Sequence, residues 1–288
     1  MAITAAMVKE LRERTGLGMM DCKKALQETD GDLEKAIEEL RKKSALKAAK
    51  KAGRTTADGL LGVKVADDGS RGAIVEVNIE TDFAAKNEKF IAFVEKVLQQ
   101  VFDAGDGDVQ KLLDSGLDAE RETLVQEIGE NITVRRAAVL NADGGAISNY
   151  LHSDNRKGAL VELSGRNDEL GRDIAMHVTA INPMVVNSGD VPEDVLAKER
   201  EIYTTQAQDS GKPEDIVVKM VEGRVKKFLA EVSLVDQPFV KDPNQKVGAL
   251  AKDAGVDVCN FVRFEVGEGI EVEEEDFAAE VAAQLDNG

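Results

Sequence analysis

Tryptophan is missing from this 288-residue chain, and cysteine and histidine occur only twice each. Two cysteines, Cys22 and Cys259, are too few and too far apart for a disulfide framework. With two histidines they make no credible zinc quartet either. Eleven aromatic residues leave the core to aliphatic side chains. No apolar run is long enough to span a bilayer, and charges throughout the first thirty residues leave no signal-peptide core. The sequence therefore reads as a soluble cytoplasmic protein. It also lacks the Gly-x-x-x-x-Gly-Lys-Ser/Thr phosphate loop, since Gly211-Lys212 runs into Pro213 and makes a turn. No Gly-x-Ser-x-Gly nucleophile motif occurs. His177 falls on an apolar helical face and reads as structural, while Cys22 and Cys259 read as packed thiols. Carboxylates abound, but none is marked out as a paired acid and base. Bond chemistry finds little support here, and neither a cofactor nor a metal is expected.

What the chain has in surplus is acid: 55 Asp plus Glu against 37 Lys plus Arg, for a net charge of −18. That balance argues against a phosphate-backbone binder overall, because counterion release needs clustered cations. The charge is unevenly spread. Residues 41–54 hold seven bases and no acid, whereas residues 265–288 hold nine acids and no base. A basic run is usually a solvated helix face, and acids before the terminal apolar stripe Phe277, Val281 and Leu285 suit a helix N-terminus. A nucleic-acid-binding protein using the arm 41–54 remains the alternative from another functional class.

Periodicity divides the chain. Residues 1–55 predict three short helices on one small core, with Thr4 capping the first and Gly16 ending it. Residues 47–56 read as a basic linker. From Gly59 the period becomes two, and the run to Ile79 predicts a β-hairpin followed by a helix from Thr81. A further helix near 117–128 and a strand at 131–140 follow. Then the pattern repeats: Arg71-Gly-Ala-Ile-Val-Glu-Val77 matches Lys157-Gly-Ala-Leu-Val-Glu-Leu163, 86 residues on. The match predicts two α+β subdomains, 56–142 and 143–184 plus 233–266, each with an antiparallel sheet. Between the halves of the second, residues 185–232 predict a protruding antiparallel coiled-coil hairpin with its seam at Val217, Val221, Val225, Phe228 and Val232. Residues 267–288 predict a short C-terminal helical module.

The strand-to-helix junction Thr81-Asp82-Phe83 is where side chains can be presented to a partner. Spacing alone favours a plainer account, with Asp82 capping the helix and Phe83 folding back as a hydrophobic staple.

Resemblance weighs against that account. The segments Val8-Lys-Glu-Leu-Arg-Glu-Arg-Thr-Gly16, Gly18-Met-Met-Asp-Cys-Lys-Lys-Ala-Leu26, Thr81-Asp-Phe83 and Ile128-Gly-Glu-Asn-Ile132 stand in order along the chain. Val221-Glu-Gly-Arg224, Gln237-Pro-Phe-Val240 and Arg263-Phe-Glu-Val-Gly-Glu-Gly269 follow. Over its whole length the sequence resembles the bacterial elongation factor Ts family of guanine-nucleotide exchange factors. The resemblance implies a ubiquitin-associated-like N-terminal module and a partner, elongation factor Tu, that would be bound with GDP or without nucleotide. It implies that Phe83 wedges into an apolar pocket of that GTPase and that Asp82 disfavours its Mg²⁺ and phosphates. Ile128 and Gly129 would lie beside them. Met19, Met20 and Lys23 would dock on the nucleotide domain, and His152 and Val240 would face a second GTPase domain. Two departures stand out: Ala84 where the family commonly has valine, and Ser153-Asp154-Asn155-Arg156 where glycine commonly follows the histidine.

Overall fold

The computed structural model describes residues 3–208 and 213–271. The turn read at Ser210-Gly211-Lys212 and the terminal stripe of Phe277, Val281 and Leu285 lie outside them.

Three helices open the chain: α1 (Ala5–Thr15), α2 (Met19–Glu28) and α3 (Leu33–Lys51). Thr4 accepts the Met7 amide and Gly16 closes α1 in the left-handed conformation, as its sequence requires. Leu11, Cys22, Ala25, Leu26, Ala36 and Leu40 pack into one small core. The third helix corrects the expected linker, because residues 47–51 remain helical. Alanine and lysine are good helix formers, and Ser44 and Ala48 gain a buried face elsewhere.

Strands β1 (Asp58–Val65) and β2 (Arg71–Ile79) form the expected hairpin. The expected single helix after it is broken in two. A four-residue helix α4 (Asp82–Ala85) stops at Lys86, and Asn87 caps a new helix α5 (Glu88–Ala104). Helices α6 (Val109–Leu112) and α7 (Asp118–Ile128) then lead into β3 (Ile132–Asn141), which completes a sheet in the order β1-β2-β3.

The second copy repeats this with β4 (Ala146–Leu151), β5 (Lys157–Leu163) and α8 (Asp168–Ile181). Helices α9 (Glu193–Gln208) and α10 (Glu214–Val232) intervene, followed by the short pair β6 (Pro238–Phe239) and β7 (Asp242–Lys246). Helix α11 (Val247–Asp253) leads to β8 (Val258–Glu265), giving the antiparallel order β4-β5-β8. The architecture is α+β.

The repeated heptapeptides are the central strands of the two sheets, and their alternation explains the layering. In β2, Ala73, Val75, Val77 and Ile79 face α5 and α7, while Ile74 faces the second sheet. In β5, Ala159, Val161 and Leu163 face α8, while Leu160 meets Ile74 in the layer between sheets. The sheets approach so closely that a Cβ on Gly72 would lie 2.7 Å from the Ile147 Cγ2. The pairing of each central strand is bulged at the same repeat position, between Glu76 and Val77 and between Glu162 and Leu163, with the extra residue on the partner strand, Arg135 of β3 and Cys259 of β8. The glutamates diverge. Glu76 is fully buried, accepting from Arg135 (3.0 Å), Arg136 (2.6 Å) and the Gly267 amide (2.9 Å). Burial pushes its carboxyl up, but the Gly267 amide, Arg136 and Arg135 together hold it below the usual range.

Helices α9 and α10 pack on each other through Ala207, Val217, Val221 and Val225, flanked by Leu196, Tyr203 and Leu229. The seam continues through Leu229 instead of Phe228. Val232 is half-buried at the base. No helix among the described residues is long and apolar enough to cross a membrane.

Candidate functional site

Four chain segments meet around Thr81-Asp82-Phe83. Strand β2 ends at Ile79, and Glu80 and Thr81 carry the chain to α4. Helix α7 ends nearby, where Gly129 (φ 90°) takes the left-handed conformation and Glu130 and Asn131 lead into β3. The two turns are tied reciprocally. Glu130 accepts from the Thr81 amide at 2.9 Å and from its hydroxyl at 2.8 Å, and Glu80 accepts the Asn131 amide at 2.5 Å. Both backbone amides are paired, which the buried Asn131 requires and the exposed Thr81 does not. The end of α3 joins them: Asn131 donates to the Arg54 carbonyl at 3.0 Å, and Lys51 donates to the Gly129 carbonyl.

This clamp makes α4 a short stub on a fixed base. Thr81, not Asp82, is its cap, its hydroxyl accepting the Ala84 amide at 3.2 Å. Asp82 is thereby released from capping. Its carboxylate takes a hydrogen bond from Lys86 at 2.8 Å, and that bond holds it below the ordinary aspartate range. Arg156, from the turn after β4, adds a smaller charge effect in the same direction. Nor is Phe83 a staple: its side chain is 81% exposed, with the Lys86 ammonium 5.5 Å from the ring centroid. An aromatic ring so placed on a rigid base is the pattern of a binding anchor.

The other expected site residues fall as follows. Ile128 is half-buried against the core of the first sheet, and Gly129 is exposed with open space above its Cα. Met19 and Met20 are exposed on α2 at 60% and 75%, and Lys23 is exposed a turn later. Helix α2 reaches the clamp through Gln126, which donates to Asp21 at 3.4 Å and accepts from Ser44 at 2.7 Å. The structure thus gathers Asp82, Phe83, Ile128 and Gly129 at one point, with the methionine helix linked to it. His152 and Val240 sit on the second sheet's side. His152 is exposed, its Nδ1 3.1 Å from the Tyr150 hydroxyl, in a turn held to β1 by Arg156–Asp58 and by the Leu61 amide donating to Asn155. Val240 is exposed, and its amide donates to His177 Nδ1 at 3.1 Å. These bonds do not join His152 to Val240.

The chain's matches to known proteins run in the same direction. The family model described as elongation factor TS matches residues 80–268, beginning at the clamp glutamate. The elongation factor Ts of Hahella chejuensis is 61% identical over 284 residues, covering 99% of both chains. That of Saccharophagus degradans is 60% identical over 285 residues, covering 99% of this chain and 98% of the relative. The chain belongs to the elongation factor Ts family. It therefore stands among the elongation factors of protein biosynthesis.

For an elongation factor Ts the remaining chemistry of the described residues is spare. They hold no group of three or more His, Cys, Asp or Glu placed to hold a metal ion. His177 is fully buried, accepting from Val240 at Nδ1 and meeting Gln237 Oε1 at 2.9 Å through Nε2, so Nε2 carries the proton. Cys22 is buried as expected, whereas Cys259 is exposed, a correction to its reading as a packed thiol. Burial and the carboxylates of Glu162 and Asp257 push the Cys259 thiol up, away from nucleophilic character. Sequence reasoning assigned no role to Glu80, Glu130 or Lys86. Glu130 lies inside the quoted Ile128–Ile132 segment, and Lys86 lies four residues after Asp82, the spacing of a helical ion pair.

Proposed function

We propose that this chain binds elongation factor Tu–GDP and promotes GDP release by intruding near the Mg²⁺ and phosphate site. The observation that carries this reading is the exposed Phe83 ring beside an ionised Asp82, on a stub whose base is hydrogen-bonded from both sides. Phe83 enters an apolar pocket of the GTPase, and Asp82 disfavours the metal and phosphates by charge. The factor binds its partner better without nucleotide than with it. By linkage, nucleotide binding weakens by the same free energy. No bond is made or broken, so the chain acts as an exchange factor and not as an enzyme, and the nucleotide stays on the partner.

On this reading α1–α3 form the ubiquitin-associated-like module of residues 1–55, and Met19, Met20 and Lys23 dock it on the nucleotide domain. Residues 56–142 form one subdomain of the core, and 143–184 with 233–266 form the other. His152 and Val240 face a second domain of the GTPase. The helices of 185–232 act as a coiled-coil hairpin for higher assembly, residues 267–288 form the terminal module, and the setting is cytoplasmic. The nucleic-acid alternative is weakened at three of the seven bases of the arm: Lys42 pairs with Glu38 and Glu39, Lys43 with Glu28 and Arg54 with Glu80. The test is stopped-flow release of a fluorescent GDP from elongation factor Tu. Acceleration by the intact chain is expected, and its absence would overturn the proposal.

A further inference from the structure

A two-residue turn, Val240-Lys241, joins the strands of the β6–β7 hairpin. Two strands on their own are marginal in water, so the hairpin is held by what it rests on. Phe239 is buried in the core of the second sheet, its ring 6.0 Å from the His177 imidazole. Lys241 pairs at 2.5 Å with Asp173, one turn before His177 on α8. The Val240 backbone is held separately, by its amide donating to His177 Nδ1 at 3.1 Å.

Behind that bond stands a buried path of fixed polarity. The Glu231 carbonyl, near the end of α10, can only accept, and Gln237 Nε2 donates to it at 2.6 Å. That turns Gln237 Oε1 toward the imidazole, where it accepts from Nε2 at 2.9 Å. The ring proton therefore sits on Nε2, and Nδ1 keeps the lone pair that the Val240 amide needs. Gln237 is pinned in turn by its backbone, its amide donating to Leu234 and its carbonyl accepting from Val247. His177 and Gln237 are 0% and 3% exposed, so bulk water does not replace either bond. A phenylalanine would fill the same apolar surroundings without the cost of burying an imidazole. It would offer no acceptor to Val240. In Gln237-Pro238-Phe239-Val240 the first residue thus orients the imidazole, the third anchors the hairpin, and the last, 40% exposed, is presented.

We propose that His177 is a positioning residue. Tied through Gln237 to the end of α10, it sets the backbone of the Val240 turn and so the surface offered to the second domain of the GTPase. The inference rests on the exchange reading, in which Asp82 and Phe83 drive release and Val240 adds affinity. Two variants divide the bonds. An asparagine Oδ1 stands where Nδ1 does, so His177→Asn keeps an acceptor for Val240. His177→Gln reaches toward Gln237 instead and leaves the Val240 amide without one. In ¹⁵N NMR of the full chain, His177→Gln should quicken hydrogen exchange of the Val240 amide at least about tenfold, with Ile174 and Val178 unchanged. His177→Asn should restore slow exchange there. In stopped-flow GDP release from elongation factor Tu, His177→Gln should raise the half-saturating factor concentration roughly three- to tenfold, the weight of one hydrogen bond. The maximal rate should stay within about twofold of the wild type. Val240→Ala should raise the half-saturating concentration too, and adding His177→Gln to it should bring no further rise. If the intact chain fails to accelerate release, the exchange reading falls and this proposal with it. If it does accelerate release, additive effects of the two substitutions or a loss in maximal rate overturn this proposal alone. So do a Val240 amide indifferent to His177→Gln and quickened exchange spread along α8.

Discussion

Replacing Phe83 by alanine should separate folding from function more cleanly than any other single change. The ring is 81% exposed, with the exposed Lys86 ammonium over its face. Its removal from the free chain should shift stability by no more than about 0.5 kcal/mol, the ordinary range for surface substitutions. In the complex the balance reverses. A phenylalanine side chain moved from water into an apolar pocket contributes about 2–3 kcal/mol, and little of that has been spent in the free protein. Loss of the ring should therefore lower the acceleration of GDP release by roughly 30- to 150-fold, since each 1.4 kcal/mol is about tenfold. If the pocket opens only as nucleotide leaves, the loss falls on the rate and spares affinity for the GDP-bound partner. Paired measurements decide it: stopped-flow release over a range of factor concentrations, and urea unfolding of the free variant. A variant within threefold of the wild type in exchange would refute the anchor argument. A variant destabilised by more than about 1 kcal/mol would refute the exposure on which it rests.

Other expectations follow from neighbouring groups. Glu130→Ala hands the exposed Thr81 amide and hydroxyl to water, at a cost of about 0.5–1.5 kcal/mol. Hydrogen exchange at residues 81–85 should quicken well beyond that at β1, and an unchanged pattern would deny the clamp. Glu76→Gln leaves Arg135 and Arg136 without their carboxylate, and should cost about 3 kcal/mol in urea unfolding. His177 is held below its ordinary pKa by burial, only partly offset by its bond to Gln237. The unfolded chain takes up a proton near pH ~6.5 while the folded ring stays neutral. Stability should thus fall as pH drops below about 6.5, by up to about 1.4 kcal/mol per pH unit, until the folded ring also protonates. His177→Gln should flatten that slope in urea midpoints taken between pH 5 and 7.5.

Much of the scaffold was legible because it obeys simple periods. The alternation of β2 and β5 marked both as strands and the 86-residue repeat placed them as equivalents, while their central place in each sheet is seen only in the strand order. His177 was legible for the same reason, standing on the apolar stripe of α8. What escaped was decided by contacts between distant segments. Residues 47–51 read as linker because the face they bury, at Ala48, belongs to the core of the first sheet. The break between α4 and α5 did leave a local trace, since Asn87 accepts the Lys89 amide as a cap would. The apolar face running on from Phe90 masked it. Glu80 and Glu130 act across 51 and 49 residues of chain, a pairing no local pattern announces. Phe83 was the sharpest case: a staple and an anchor look alike in one dimension, and only exposure tells them apart.

The duplicated scaffold carries its own blank. Eighty-six residues after Thr81 stands Asn167, which caps α8 by accepting the Leu170 amide, just as Thr81 accepts the Ala84 amide. Asp168 then stands where Asp82 does, and Glu169 where Phe83 does. Both second positions face water, yet one copy fills its place with a solvated carboxylate and runs straight on for 14 helical residues. The other installs a bare aromatic ring and halts its helix after four. Subtracting one copy from the other leaves a small remainder: a phenylalanine for a glutamate, and an interruption that turns a helix into a peg. Glu169→Phe would supply the ring without the interruption, and so ask which part of that remainder the activity needs.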